Sequence, residues 1–240
     1  VTAGLCYNKR GMEILEQYGR TLEDLDKPLL MLRPQSIENY LNAQVFTSIL
    51  EQFNDKGIIF DRIFFRDPFN SQDSADVLAY ALENLPQNLI SEDFEVVLSQ
   101  RIPCKGQRIW ELVSSQILTD STRDSYEIIL KKMELAENEF FSNSDNPLFA
   151  WNEQSIKETF SSHGFKVKSA SKTITEKRKI TETEINRWFD AQNSSYGSAL
   201  TVNIGAEDVN KIKNLLLAAC QNKLFNWNTT IEFMTVSIVK

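Results

Sequence analysis

The sequence predicts an α/β fold built on a mostly parallel sheet, and three observations carry that prediction. Short apolar segments alternate with amphipathic helical segments through the first half of the chain. The segment Phe60-Asp61-Arg62-Ile63-Phe64-Phe65-Arg66 stops abruptly at Asp67-Pro68. The last apolar segment, Thr230 to Val239, has a strong β pattern and is placed to return antiparallel. In an open parallel sheet small ligands bind beyond the carboxyl ends of the strands, so the Asp67 turn marks where a site would lie.

Ala3-Gly4-Leu5-Cys6-Tyr7 reads as the first strand, and Met12, Leu15 and Tyr18 fall on one face of a following helix that ends near Gly19. Pro28 to Leu32 reads as the next strand. Arg33-Pro34 closes it, because a residue before proline is driven away from helical geometry. Phe46, Ile49, Leu50 and Phe53 form the apolar stripe of a core-facing helix. Gly57-Ile58-Ile59-Phe60 leads into the strand that ends at Asp67, and Val77, Leu78, Ala81, Leu82 and Leu85 mark the helix beyond it. Phe94 to Ser99 adds another strand. Four such strands with helices between them specify right-handed crossovers.

The rhythm changes after Pro103. Gln107 to Leu118 and Arg123 to Phe141 both read as helices, so residues 104–146 are expected to form a helical insertion or lid. It separates the βα units of 1–103 from the helices and strands of 147–240 that complete the sheet. Ile156 and Phe160 mark a helix ending at His163-Gly164, and Phe165 to Lys168 alternates as a strand with one face to solvent. Thr181 followed by Glu184 is a capping-box pattern for a helix through Ile185, Trp188 and Phe189. Ser194-Ser195-Tyr196-Gly197 reads as a loop, and Val209, Ile212, Leu216 and Cys220 mark a last amphipathic helix.

Composition narrows the function. The chain has 240 residues, 42% hydrophobic and 25% charged, enough for a sizeable core. Cys6, Cys104 and Cys220 are an odd, widely spaced set, which argues against a disulfide framework. His163 is the only histidine; a histidine-rich zinc site is excluded, and the residue's place at a helix end favours a structural role. The motifs of zinc proteases and Walker-type ATPases are absent, so ATP hydrolysis is not assigned to this segment. No apolar run approaches the roughly 20 residues that cross a bilayer, and a cytoplasmic protein without a membrane partner is expected.

A net charge of −7 opposes nonspecific attraction to nucleic acid, yet one basic run stands out: Lys166, Lys168, Lys172, Lys177, Arg178 and Lys179. Sharing a face with Arg187 and Trp188, these cations would neutralise phosphates while a base stacked on the indole. An edge strand that uses lysines to block aggregation explains the same run. Lys177, Arg178 and Lys179 are the candidate nucleic-acid contacts, and DNA the candidate partner. The four tryptophans read as core anchors.

The strand order resembles that of class I S-adenosylmethionine-dependent methyltransferases: Asp61 and Asp67 bracket the fourth strand, Val96 to Ser99 lies in the fifth, residues 151–167 supply the sixth, and the terminal strand the antiparallel seventh. More narrowly, Gly11 to Gly19, Lys27-Pro28-Leu29-Leu30, Phe60-Asp61-Arg62-Ile63, Arg178 to Thr181, Arg187-Trp188-Phe189 and Ser195-Tyr196-Gly197 resemble the C-terminal extension of cyanobacterial fusion proteins. In those fusions an AAA+ ATPase similar to replication-associated recombination protein A (RarA) precedes a methyltransferase-like domain. The resemblance implies a Rossmann-like sheet lacking its first strand, with its upstream AAA+ domain as partner and ATP bound only there. Arg66-Asp67-Pro68-Phe69 is similar to the Asp/Asn-Pro-Pro-Tyr/Phe motif of amino-methyltransferases, one proline short. It implies Asp67 as acceptor from a target amine and Phe69 as a stacking face, although Asp-Pro also makes an ordinary turn.

Two departures shape the functional expectation. No Gly-x-Gly pair occurs, so the cofactor loop and first strand are expected upstream, leaving a gap in the sheet unless another segment fills it. Asn8 stands where the family carries its ribose-binding carboxylate, and it offers one hydrogen bond where a carboxylate accepts two. Asn8, Arg33 and Arg66 are the candidate contacts to S-adenosylmethionine. The reading is a noncatalytic binding or interaction module of a RarA-type ATPase acting in DNA replication and recombination. The alternatives are an active methyltransferase whose glycine loop lies upstream and a nucleic-acid-binding appendage.

Overall fold

In the computed structural model, the described residues are 2–5, 13, 16–17, 20–21, 24, 29–31, 48, 51, 59–221 and 223–238. Asn8, Arg33 and the apolar stripes of the two expected helices between 8 and 58 lie outside them.

Six strands form one sheet in the order β2-β1-β3-β4-β6-β5, where β1 is Thr2–Leu5, β2 Leu29–Met31, β3 Phe60–Arg66, β4 Ile90–Arg101, β5 Phe165–Arg178 and β6 Phe225–Ile238. The pairs β1–β2, β1–β3 and β3–β4 are parallel, and β6 runs antiparallel to β4, with Leu98 opposite Met234. The architecture is a Rossmann-like mixed sheet with a returning C-terminal strand, as the alternating pattern predicts. The expected gap in the sheet is not there: β1 pairs directly with β3, Ala3 opposite Ile63, so the backbone groups on the facing edges find partners.

The chain divides into two compact units. The first comprises 1–102, 150–172 and 231–240. Within it, buried residues alternate along β4 through Phe94, Val96, Leu98 and Gln100, the period expected of a strand with one face in the core. Helix α1 (Gln72–Glu83) starts at a Ser71–Ser74 capping box and buries Leu78, Ala79, Ala81 and Leu82, while Val77, expected on that face, is 40% exposed. The helix Glu153–Ser162, which follows the chain's excursion through the second unit, ends at His163 and Gly164, whose φ of 80° glycine adopts without strain. His163 Nδ1 lies 2.6 Å from Glu83 Oε2, a structural contact.

The second unit comprises 103–149 and 173–230, so the segment 104–146 shares a core with residues from 173 onward. Its helices are α2 (Ile109–Gln116), α3 (Asp120–Ser142), then, after the first unit's α4 (Glu153–Ser162), α5 (Glu182–Trp188), α6 (Ser195–Ile204) and α7 (Ala206–Cys220). Leu112, Met133, Ile185, Leu200, Ile212, Leu216 and Phe225 are fully enclosed in this core. The capping box at Thr181 and Glu184 forms as the sequence predicts.

Two expectations are corrected here. Ser194 to Gly197 is no loop: Ser194 caps α6, its Oγ accepting from Gly197 N at 3.1 Å. The glycine is there for close approach, since a Cβ on Gly197 would sit 2.7 Å from the Asp190 carbonyl oxygen. The strand expected to end at Lys168 continues to Arg178. Residues 169–177 are exposed on both faces and so carry no apolar alternation to read.

Candidate functional site

The end of β3 presents the strand-terminal residues. Arg66 is exposed, and Asp67 turns the chain with φ 48°, a left-handed conformation that aspartate tolerates better than most residues. Asp67 N donates to Ser99 O at 2.7 Å, and both oxygens of its carboxylate are engaged by one neighbour. Oδ1 accepts from Arg101 N at 2.8 Å and Oδ2 from Arg101 Nε at 2.9 Å. The group implied as acceptor for a target amine thus ties two strand ends together.

Phe69 is likewise committed. Its ring is 4% exposed and lies 6.2 Å from that of Phe160. Its backbone is clamped by the buried carboxamide of Gln100: Phe69 N donates to Oε1 at 3.0 Å, and Nε2 donates to Phe69 O at 3.2 Å. A side chain here replaces the strand partner that Phe69 lacks. Two buried hydrogen bonds of this kind stabilise the turn by about 2 kcal/mol. A planar substrate has no face of Phe69 to stack on.

These facts decide how S-adenosylmethionine chemistry fits the described residues. Asn8 and Arg33 lie outside them, Arg66 stands alone at the strand end, and the Asp67–Phe69 turn is occupied by bonds to its own chain. The described residues do not fit the methyl-transfer site that the motif implies. No group of three or more metal-ligating side chains occurs among them, and none of their helices is long and apolar enough to cross a membrane.

In the second unit β5 and β6 form a ribbon. Thr173 Oγ1 bonds to Thr230 Oγ1 at 3.1 Å and Thr175 Oγ1 donates to Asn228 Oδ1 at 2.7 Å, so the strands run antiparallel and these four side chains share one face. Alternation puts Lys177 on that face and Arg178 on the other. Arg178 lies over the ring of Trp227 at 4.3 Å and pairs with Glu184, and Trp227 lies 5.9 Å from Trp188. The basic run is therefore split: Arg178 joins an inner stack of tryptophans, Lys177 faces outward, and Lys179 falls beyond the strand.

The outward face forms one wall of an open groove of about 440 Å³. Thr173, Asn228 and Thr230 line it with Lys105, Arg108 and Asn138. Arg108 is fixed by Nη1 to Gly106 O at 2.9 Å and Nη2 to Cys104 O at 2.8 Å, with its guanidinium 3.8 Å from the Phe141 ring centre. Burial lowers its pKa, yet arginine keeps its charge at any physiological pH. Gln107 closes one end, its Oε1 accepting from Asn228 N at 2.9 Å. Lys105 and Arg108 were not singled out by the sequence, because no local run announces two cations brought beside a strand more than sixty residues later.

Behind the groove Glu137 is fully buried. It accepts from Ile109 N and Trp110 N, each at 3.0 Å, and from the Tyr196 hydroxyl. The carboxylate caps the first turn of α2 from a neighbouring helix. Burial raises its pKa, opposed by those three hydrogen bonds and by the Arg108 charge, and burial also pushes the Tyr196 phenol well above its ordinary value.

No family model matches the sequence, and no curated protein aligns with it. Among solved structures, the chain is similar to precorrin-6y C5,15-methyltransferase from Geobacter metallireducens, with a TM-score of 0.34 and 8% identity over 99% of this chain and 66% of that one. A methyltransferase from Bacillus halodurans gives 0.34 and 8% over 100% and 83% of the two chains. The cyclopropane synthase of Mycobacterium tuberculosis gives 0.34 and 14% over 98% and 77%. At these values the likeness adds no argument to the strand order itself.

Proposed function

We propose that the chain is a methyltransferase-like binding or interaction module without methyl-transfer activity, carried by a RarA-type AAA+ ATPase acting in DNA replication and recombination. The engagement of the Asp67 carboxylate by Arg101, beside the burial of Phe69, is the observation that supports the noncatalytic part. An acceptor site needs a carboxylate and an aromatic face turned to the substrate, and both are spent on the fold. The short motifs from Gly11 to Gly197 named above support the attachment to the ATPase.

Calorimetric titration of the chain, extended upstream to include whatever precedes Val1, with S-adenosylmethionine tests this reading. The expected result is no saturable heat at micromolar cofactor. Micromolar binding, together with methyl transfer that Asp67→Ala abolishes in a folded variant, would replace it with the active enzyme. The residues preceding Val1 test the ATPase attachment directly, since a Walker lysine loop must occur among them.

A further inference from the structure

We propose that the outer edge of β5 joins the same edge of a second copy of this chain, the two strands pairing antiparallel about a twofold axis at Ile174. Among the described strands β5 is the last in the sheet, with β6 on one side only. Its residues from Lys168 to Lys177 are exposed, so the backbone donors and acceptors of the outer side are open to another strand. Charge commonly blunts an edge of this kind, and the lysines fit that account. It leaves Ile174 unexplained, an isoleucine 39% exposed in the middle of the edge. It also leaves Glu176 unexplained. Alternation puts Lys172, Ile174 and Glu176 on one face of the strand, and neither Lys172 nor Glu176 has an ion-pair partner among the described residues.

The pattern is complementary to itself. Pairing about Ile174 sets that residue against its own copy, Lys172 against Glu176 of the second copy and Thr173 against Thr175 of the second copy. The axis repeats each contact, so two Lys172–Glu176 pairs flank one isoleucine pair. Ser171 meets Lys177 and Ala170 meets Arg178, and no like charges are opposed within the strand. Neighbouring registers lose this match. Moving the axis to Thr173 opposes Arg178 to Lys168, moving it to Thr175 opposes Arg178 to Lys172, and moving it to Glu176 opposes two glutamates. A parallel pairing in register opposes every charge to itself. Opposite charges facing across two strands stabilise the pair and like charges destabilise it, so the charges of β5 select one register instead of forbidding association. A strand from an unrelated protein would call for no such symmetry, whereas a twofold contact between identical surfaces requires it.

The proposal is independent of the noncatalytic reading, which cofactor titration tests, and either can fail alone. Sedimentation velocity of the chain over a range of concentrations should show a species of twice the 27.6 kDa of one chain, growing with concentration. Lys172→Glu opposes glutamates at both ion pairs and Glu176→Lys opposes lysines, so each variant alone should weaken dimerisation about tenfold. Lys172→Glu combined with Glu176→Lys rebuilds both pairs with their charges exchanged and should recover the wild-type dimer. An equimolar mixture of the two single variants should form a heterodimer for the same reason. A purely structural role for either residue predicts neither recovery. Ile174→Cys places its thiol on the axis and should cross-link two chains under mild oxidation, whereas Ser169→Cys places the two thiols about 33 Å apart along the paired strands and should not. Circular dichroism establishes that each variant is folded. The proposal is overturned if the wild-type chain stays monomeric, its edge then left to some other strand or to none. It is equally overturned if the single reversals dimerise as well as wild type, if the double reversal and the mixture fail to recover association, or if Ser169→Cys cross-links as readily as Ile174→Cys.

Discussion

Replacing Glu137 by alanine removes the acceptor for three donors at once, the Ile109 and Trp110 amides and the Tyr196 hydroxyl. Each buried donor left without a partner costs about 1–3 kcal/mol, and losing the buried carboxylate's own desolvation cost returns part of that. The net loss should be about 3–5 kcal/mol. For a chain of this length it lowers the melting temperature by roughly 6–20 °C. Urea unfolding followed by circular dichroism measures the change as a shift in midpoint at constant slope. Glu137→Gln keeps one acceptor but turns an NH₂ toward a helix amide, so about 1–3 kcal/mol is expected. An alanine variant within about 0.5 kcal/mol of wild type would mean that Glu137 does not cap α2 in solution.

The same carboxyl fixes a pH dependence. Its folded pKa is raised by burial above the unfolded value of about 4.3. Protonated Glu137 is thus favoured by folding; its contribution is full below about pH 4.3 and is lost as pH rises through the folded pKa. The stability advantage of wild type over Glu137→Gln should therefore be largest in acid and shrink toward neutral pH. An advantage that grows with pH would reverse the assignment.

Gln100→Leu leaves the buried Phe69 amide and carbonyl unpaired and should cost about 2–4 kcal/mol by urea unfolding, whereas an exposed polar-to-apolar change falls within about 0.5 kcal/mol. Gly197→Ala drives a methyl against the Asp190 carbonyl and should destabilise by about 1–3 kcal/mol in the same assay; a neutral outcome would mean that α6 shifts freely from that contact.

The fold was legible wherever a segment has one buried face. β3, α1, the core of β4, α7 and the antiparallel β6 all follow from apolar periods of two or of three to four residues. Legibility failed where side chains face water on both sides or where a glycine serves packing. β5 beyond Lys168 shows no period, and α6 hides behind turn-like Ser-Ser-Tyr-Gly. At the candidate sites, Asp67 and Phe69 could be picked out but not their engagement, because Gln100 and Arg101 meet them only across the sheet. Lys177 and Arg178 could be picked out as a pair, but strand alternation sends them to opposite faces, one to the side of Thr173 and Thr175 and one to Trp227.

Polar side chains gathered in a fold are commonly read as chemistry, and this chain shows why satisfaction of their atoms is the better criterion. Gln100 completes the backbone of Phe69, Gln107 accepts from Asn228, and Gln116 both donates to Asn226 O and accepts from Asn226 N, at 2.8 and 2.7 Å. Glu137 does the same for α2. Each stands where a strand or helix ends and its backbone groups lose their regular partners, which must be replaced if they are buried. A carboxamide matches a peptide in both donor and acceptor, so it extends a ladder by one rung without another strand. Polar atoms used in this way have little left for a substrate.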